Sequence, residues 1–208
     1  DSQPHVLDPQ FDLPAWLSHA GQPAWRAKAI YRWLHARRAE SFSDMTDLPS
    51  DLRSQLQSEM KIWTTDVTRH QVAEDGTEKL LLQLHDKQQI ECVLLRDGIR
   101  RTVCISSQVG CAMGCVFCAS GLDGVIRNLT TGEIIEQLLR LSRLLPQDER
   151  LSHIVVMGMG EPLANLDRLL PALAAAQNPD GLGISQRRIT ISTVGLPSAI
   201  DRLCHENP

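Results

Sequence analysis

The sequence predicts an α/β fold, the first half of a parallel sheet or barrel, preceded by a small helical module and a β extension. Three observations carry this reading. Apolar residues recur at helical spacing over roughly the first sixty of the 208 positions. Residues 64–101 break into short β-type runs punctuated by turn signals, and beyond residue 101 strands alternate with helices.

Composition narrows the field. With 42% hydrophobic and 22% charged residues the chain has an ordinary globular make-up rather than that of a disordered one. Lys and Arg number 21 against 25 Asp and Glu, a net charge of −4, so this is no polycation built to coat nucleic acid. Any such contact is local. The longest apolar runs, 80–82 and 154–157, fall far short of the ~18 residues that a membrane span needs. No secretory signal opens the chain. It begins at Asp1 rather than Met, and reads as an excerpt.

Residues 1–62 form the helical module. Trp25, Ile30, Tyr31, Trp33 and Leu34 share one side of a helix over 23–38; Leu48, Leu52 and Leu56 recur at intervals of four around the start signal Asp47-Leu48-Pro49-Ser50. Arg26, Lys28, Arg32, Arg37 and Arg38, with no acid among them, are either a solvated face or a phosphate contact. Residues 63–100 form the β extension, with runs at 66–73, 79–85 and 89–95, and Asp-Gly at 75–76 and 97–98 marking hairpins. Residues 101–208 then give strands at 102–106, 153–157 and 188–192, an amphipathic helix over 131–145, and helices over 165–175 and from 197. A parallel sheet needs cover on both faces, and three units do not supply it, so about half of this domain is expected beyond Pro208.

Six cysteines stand at 92, 104, 111, 115, 118 and 204. Long amphipathic patterns without an export signal favour reduced thiols in a cytoplasm over a disulfide framework. Cys111, Cys115 and Cys118 form C-x3-C-x2-C among small residues. Structural zinc asks for four protein ligands and an electron-carrying 4Fe-4S cluster for four thiolates; neither fourth partner stands in spacing range. Three thiolates hold three irons and leave a fourth open for a small molecule. The plain alternative is three metal-free thiols.

At this loop, with Phe117 before its last cysteine, the chain resembles the radical S-adenosylmethionine (SAM) superfamily. Four further stretches resemble the RlmN/Cfr family of RNA adenine methyltransferases: Cys104-Ile105-Ser106-Ser107-Gln108-Val109-Gly110-Cys111; Arg127-Asn128-Leu129-Thr130; Val156-Met157-Gly158-Met159-Gly160-Glu161-Pro162-Leu163-Ala164-Asn165; and Arg187-Arg188-Ile189-Thr190-Ile191-Ser192-Thr193. The resemblance implies a partial (β/α)6 radical SAM barrel, a cytoplasmic monomer, a 4Fe-4S cluster on Cys111, Cys115 and Cys118, and SAM as cosubstrate. It further implies methylation of an adenine at carbon 2 or carbon 8 in 23S ribosomal RNA, with transfer RNA as a second substrate and an electron donor such as flavodoxin. Those carbons are not nucleophilic, so a radical route through an S-methylcysteine is implied; the cofactor carries that chemistry.

By the same resemblance Cys104 is the resolving cysteine, which forms a disulfide as the protein–RNA adduct resolves, and Glu91 is the proton acceptor. Gly160 and Glu161, at the C-terminal end of the second parallel strand where barrel sites assemble, are expected at SAM, with Glu161 facing its ammonium; Ser192 suits its ribose or carboxylate. Cys92 has no implied role and reads as packing. The methyl-carrying cysteine of the family lies beyond Pro208, so these residues alone are expected to be inactive. A non-methylating radical SAM enzyme, or a metal-stabilised RNA-binding module, is the alternative.

Overall fold

The structure, a computed structural model, describes residues 3–8 and 11–206. Residues 1, 2, 207 and 208, at the ends of the first and last predicted segments, lie outside that set. Helices α1 (Leu13–His19), α2 (Arg26–His35) and α3 (Ser50–Glu59) come first. The strands β1 (Asp66–Val72), β2 (Glu78–Gln83), β3 (Gln89–Asp97) and β4 (Arg100–Cys104) follow as an antiparallel run. A short hairpin, β5 (Gln108–Gly110) with β6 (Val125–Asn128), brackets the cysteine loop. Three helices complete the chain, α4 (Thr131–Ser142), α5 (Leu166–Gln177) and α6 (Pro197–Glu206), with strands β7 (His153–Val156) and β8 (Ile189–Ile191) between them.

The six-stranded sheet has the order β1-β2-β3-β4-β7-β8. Strands β4, β7 and β8 are parallel and separated by helices, the β/α alternation expected beyond residue 101. The β extension is continuous with them, because β3 pairs with β4 edge to edge. Its hairpins fall where the turn signals stand. Helix α1 was not legible: seven residues carry only Leu13 and Leu17 as buried apolar positions, and its start is set by Asp12, whose carboxylate accepts from the Ala15 N–H at 2.9 Å. Hairpin β5–β6 was also missed, since three- and four-residue strands leave no readable alternation.

Alternation places Leu80, Leu82, Ile90, Cys92, Leu94, Val103, Ile154 and Val156 on one buried face of the sheet, within a single core that also takes in Ile30 and Leu34 of α2 and Leu138 and Leu139 of α4. Cys92 is packing, as its sequence position suggests. Helix α4 differs from the amphipathic helix expected. Eleven of its residues are buried, with Arg140 the exception, because α2 and α5 cover the sides that the sheet leaves open. Its start is a reciprocal capping box between Thr130 and Glu133.

A helix enclosed on all sides must satisfy its polar side chains from within. The Glu136 carboxylate, fully buried, accepts hydrogen bonds from the backbone N–H and hydroxyl groups of both Thr64 and Thr65, at 2.6 to 3.0 Å. The residues entering β1 are thereby tied to α4. Arg140 and Arg143 stack on the Trp63 ring at 4.2 and 5.6 Å.

The basic run of α2 is dispersed rather than gathered on one face. Arg38 turns inward and donates to the carbonyls of Leu145, Pro146 and Glu149, which lie beyond the C-terminus of α4, while Arg143 donates back to the Arg38 carbonyl. Arg37 stacks on Trp33 at 4.2 Å and pairs with Asp47, and Lys28 pairs with Asp180 at 2.9 Å. Arg32 stands exposed. Trp25, 68% exposed, precedes the helix with the Arg26 guanidinium 5.7 Å from its ring centre.

His35 closes α2 from the inside. It is buried, its Nδ1 has no partner among the described residues, and burial, with His5 nearby, pushes its pKa down to about 4. Free imidazole titrates near ~6.5. Between those values the unfolded chain binds the proton that the folded chain refuses, so stability rises with pH across that window. Urea denaturation should give full stability above about pH 6.5 and a loss of about 3 kcal/mol by about pH 4, a slope that His35→Phe flattens. A wild-type stability that is level across this range would contradict the burial of a neutral imidazole.

Candidate active site

Parallel pairing sets Cys104 of β4 beside Val155 of β7, and Val156 beside Ile191 of β8, so the C-terminal ends of all three strands meet along one rim. Three segments leave that rim: 105–108, 157–161 and 192–195. Cys104 lies on the sheet face opposite the buried Val103, together with its cross-strand partner Val93. Glu91, two residues earlier on β3, falls on the same face and extends past the end of β4, with Lys79 Nζ 2.9 Å from its carboxylate. The expected proton acceptor and resolving thiol thus share one surface. Burial pushes the Cys104 thiol up from its ordinary pKa, and a hydrogen bond from the Met157 backbone partly offsets this.

The segment 157–161 is docked on 105–108. Gly158 N–H donates to the Ile105 carbonyl at 3.0 Å, Met159 N–H to Ser106 Oγ at 2.9 Å, and Glu161 N–H to Gln108 Oε1 at 2.8 Å. This approach explains two glycines of the Met157–Glu161 motif. A Cβ at Gly158 would lie 2.6 Å from Ser106 Oγ, and one at Gly160, where φ is +102°, would lie 2.6 Å from Gln108 Cβ. Protein packing alone demands glycine at both positions.

Glu161 is only 2% exposed. Its Oε1 accepts from Leu163 N–H at 2.9 Å and from Thr193 Oγ1 at 2.6 Å; its Oε2 accepts from Val194 N–H at 3.0 Å. Three of the roughly four acceptor positions of a carboxylate are therefore taken by the chain itself. The side chain clamps the loop after β7 to the loop after β8. Ser192, at the end of β8, is exposed on the same rim.

The cysteine loop projects from this rim on the β5–β6 hairpin. Gln108 joins the two strands through Asn128 Oδ1 at 2.7 Å, and Arg127 holds the hairpin to the start of α4 by two 2.8 Å bonds to Glu133 and to Asp86 at 2.6 Å. Cys118 N–H donates to the Cys115 carbonyl at 3.0 Å, a turn that brings the last two cysteines to one side. Cys111, Cys115 and Cys118 are half-buried free thiols, whereas Val116 and Phe117 between them are 102% and 89% exposed. Among the described residues no three His, Cys, Asp or Glu groups converge as a single metal ion requires. Thiolates of a 4Fe-4S cube bind different irons and need no common point, and three soft donors on one short accessible loop fit it.

Sequence reasoning missed Ser106, Gln108, Gln137 and Thr193. Ser106, Gln108 and Thr193 lie inside the quoted motifs, which was the available signal. Gln137 is one polar residue of a helical pattern, and nothing in the pattern separates it from its neighbours.

Residues 8–62 match the family described as ribosomal RNA large subunit methyltransferase N-terminal domain, and residues 105–206 match the radical SAM superfamily. A protein of Rhodopirellula baltica named probable dual-specificity RNA methyltransferase RlmN is 62% identical over 200 residues, 96% of this chain and 54% of the relative. A protein of the same name from Moorella thermoacetica is 49% identical over 195 residues, 90% of this chain and 55% of the relative. The crystal structure of a radical SAM methyltransferase from Sphaerobacter thermophilus superposes with a TM-score of 0.90 at 38% identity, over 96% of this chain and 60% of that one. The chain thus spans about half the length of the curated relatives it matches. No helix among the described residues is long and apolar enough to cross a membrane.

The Glu161 clamp makes a specific expectation. Glu161→Ala should cost about 2 to 3 kcal/mol, the range for hydrogen bonds to a charged acceptor, and speed amide exchange at Leu163 and Val194 together. Exchange unchanged at Val194 would show that the two loops are held by other means.

Proposed function

The chain belongs to the radical SAM superfamily, in its RlmN-type branch, and from that premise we propose that it forms the N-terminal part of an enzyme that methylates adenine in RNA. The observation that carries this reading is the three-thiol loop standing at the C-terminal rim of parallel strands, docked through Gln108 onto Gly160 and Glu161. Barrel enzymes assemble their sites at that rim.

Cys111, Cys115 and Cys118 would hold a 4Fe-4S cluster with one iron left for SAM. When bound, the pair would supply radical chemistry, which an adenine carbon that is no nucleophile requires. The protein's share is positioning and proton handling. The backbone of Gly160 and Glu161 would border the SAM amino-acid moiety, the Glu161 carboxylate offering its remaining acceptor position to an ammonium, and Ser192 would suit the ribose or carboxylate. Glu91, paired with Lys79 at 2.9 Å, takes the adenine proton. Cys104, as thiolate, attacks the sulfur of a carrier cysteine outside these residues that is joined through a methylene to adenine; the S–S bond forms as the S–C bond breaks, and the carbon that takes the electron pair gains a proton and becomes the methyl group. The substrate in this reading is adenine at carbon 2 or carbon 8 of 23S ribosomal RNA, with transfer RNA second and a flavodoxin-like electron donor. Trp25, just before α2, and Arg32 on it are an exposed aromatic and an exposed cation that suit stacking on a base and pairing with a phosphate.

Anaerobic reconstitution tests the reading. About four irons and four sulfides per chain are expected, with an altered electron paramagnetic resonance signal when SAM is added. Alanine at Cys111, Cys115 or Cys118 should abolish both, and Cys92→Ala should leave both. One equivalent of zinc without sulfide would replace the proposal by a metal-stabilised RNA-binding module, and SAM cleavage without methylated RNA in a chain of the relatives' full length would replace it by a non-methylating radical enzyme. In a chain of the relatives' full length, Cys104→Ala should keep the cluster, still cleave SAM and accumulate covalently bound RNA.

The RNA contact has its own measurement. A Trp25→Ala, Arg32→Ala double variant should bind RNA about tenfold more weakly across sequences, with a shallower salt dependence by about one unit of slope. Unaltered affinity would return this face of α2 to plain solvation.

A further inference from the structure

Ser106 is fully buried, two residues beyond Cys104, and each of its polar atoms is engaged. Its hydroxyl donates to the Glu91 carbonyl at 2.6 Å and accepts from Met159 N–H at 2.9 Å. Its backbone N–H donates to Gln137 Oε1 at 2.8 Å, and its carbonyl accepts from Gln137 Nε2 at 3.0 Å. Gln137 itself is fully buried on α4. One residue therefore touches the strand carrying Glu91, the end of the strand carrying Cys104, the loop running to Gly160 and Glu161, and the central helix.

Stability is a poor account of this arrangement. A buried hydroxyl and a buried amide bring desolvation costs that their hydrogen bonds roughly offset, and apolar residues of similar shape can serve the core equally well. What the polar pair adds is direction. A two-bond clamp by one amide on Ser106 fixes the orientation of the backbone that carries Cys104, and the hydroxyl then sets the distance between the Glu91 strand and the Met159 loop. Gly158 leaves no room for drift, since even a methyl group there would meet Ser106 Oγ.

We propose that Ser106, clamped by Gln137, is a positioning residue that holds the proton acceptor, the resolving thiol and the SAM loop in one relative geometry. The proposal rests on the reading of the preceding section. Its consequence is coupling. With the hydroxyl gone the loop and the Glu91 strand shift independently, and a misplacement near 1 Å is enough to cost about a hundredfold in a reacting geometry. SAM is then cleaved without the methyl group reaching adenine.

Two measurements on a chain of the relatives' full length decide it, comparing wild type with Ser106→Ala and Gln137→Glu. In the cluster-free protein, amide exchange at Met159 should rise about tenfold in Ser106→Ala, and by less in Gln137→Glu, which keeps the acceptor for Ser106 N–H but loses the donor. In the reconstituted enzyme, the 5′-deoxyadenosine formed per methylated adenine should rise about tenfold or more in Ser106→Ala at unchanged iron content. A variant that is merely less stable loses both products in proportion and leaves that ratio alone. Unchanged exchange at Met159, or an unchanged ratio in an active Ser106→Ala enzyme, would overturn the proposal. A wild-type enzyme that forms no 5′-deoxyadenosine would overturn the functional reading and this proposal with it.

Discussion

Everything in this structure is arranged around a helix that has no solvent face. Helix α4 lies against the sheet, α2 and α5, and four of its side chains, at helical spacing, reach three other parts of the chain. Glu133 binds Arg127 at the stem of the cysteine loop, and Glu136 binds Thr64 and Thr65 at the entry to the sheet. Gln137 binds Ser106 behind the rim, and Arg140 stacks on Trp63. Each polar group would be costly inside the protein without its partner, so the helix accepts only one placement of all three segments.

That constraint explains why the helical module and the β extension behave as parts of the site's frame. Arg38 donates to the Leu145 and Pro146 carbonyls just beyond α4, and Arg143 donates to the Arg38 carbonyl, so the end of α2 is fixed to the helix that also holds the cysteine hairpin. The β extension enters the same frame through β3, whose pairing with β4 puts Glu91 beside Ser106. Glu91, 66 positions before Met157 in sequence, is thus positioned against the 157–161 loop through one shared hydroxyl.

The loops at the rim show a related economy. Gly158, Gly160 and Glu161 belong to a motif that resembles a SAM-binding signature, yet each has a role within the protein as well: two close approaches to residues 105–108, and a clamp across two strand ends. A motif of this kind does two tasks with one set of atoms. The chain holds its own loops in shape, and the surfaces left over, the cysteine loop and the exposed end of β8, face outward.

The sequence by itself determined the order of the longer elements, the β/α alternation, the hairpins of the extension and the three-thiol loop, because these rest on local period, turn chemistry and spacing. It also carried the family, through motifs that are contiguous. Tertiary structure alone decided which charges are solvated and which are buried. Arg38 and Arg32 stand in the same basic run, yet one caps the end of a distant helix and the other is exposed. Glu136 and Gln137 read as the polar side of an amphipathic helix until Thr64, Thr65 and Ser106 cover it. The physical reason is that hydrogen bonds such as that from Gln137 to Ser106, or from Arg38 to Pro146, join residues 31 and 108 positions apart. No local pattern records such pairs, and only the packing of the whole core selects them.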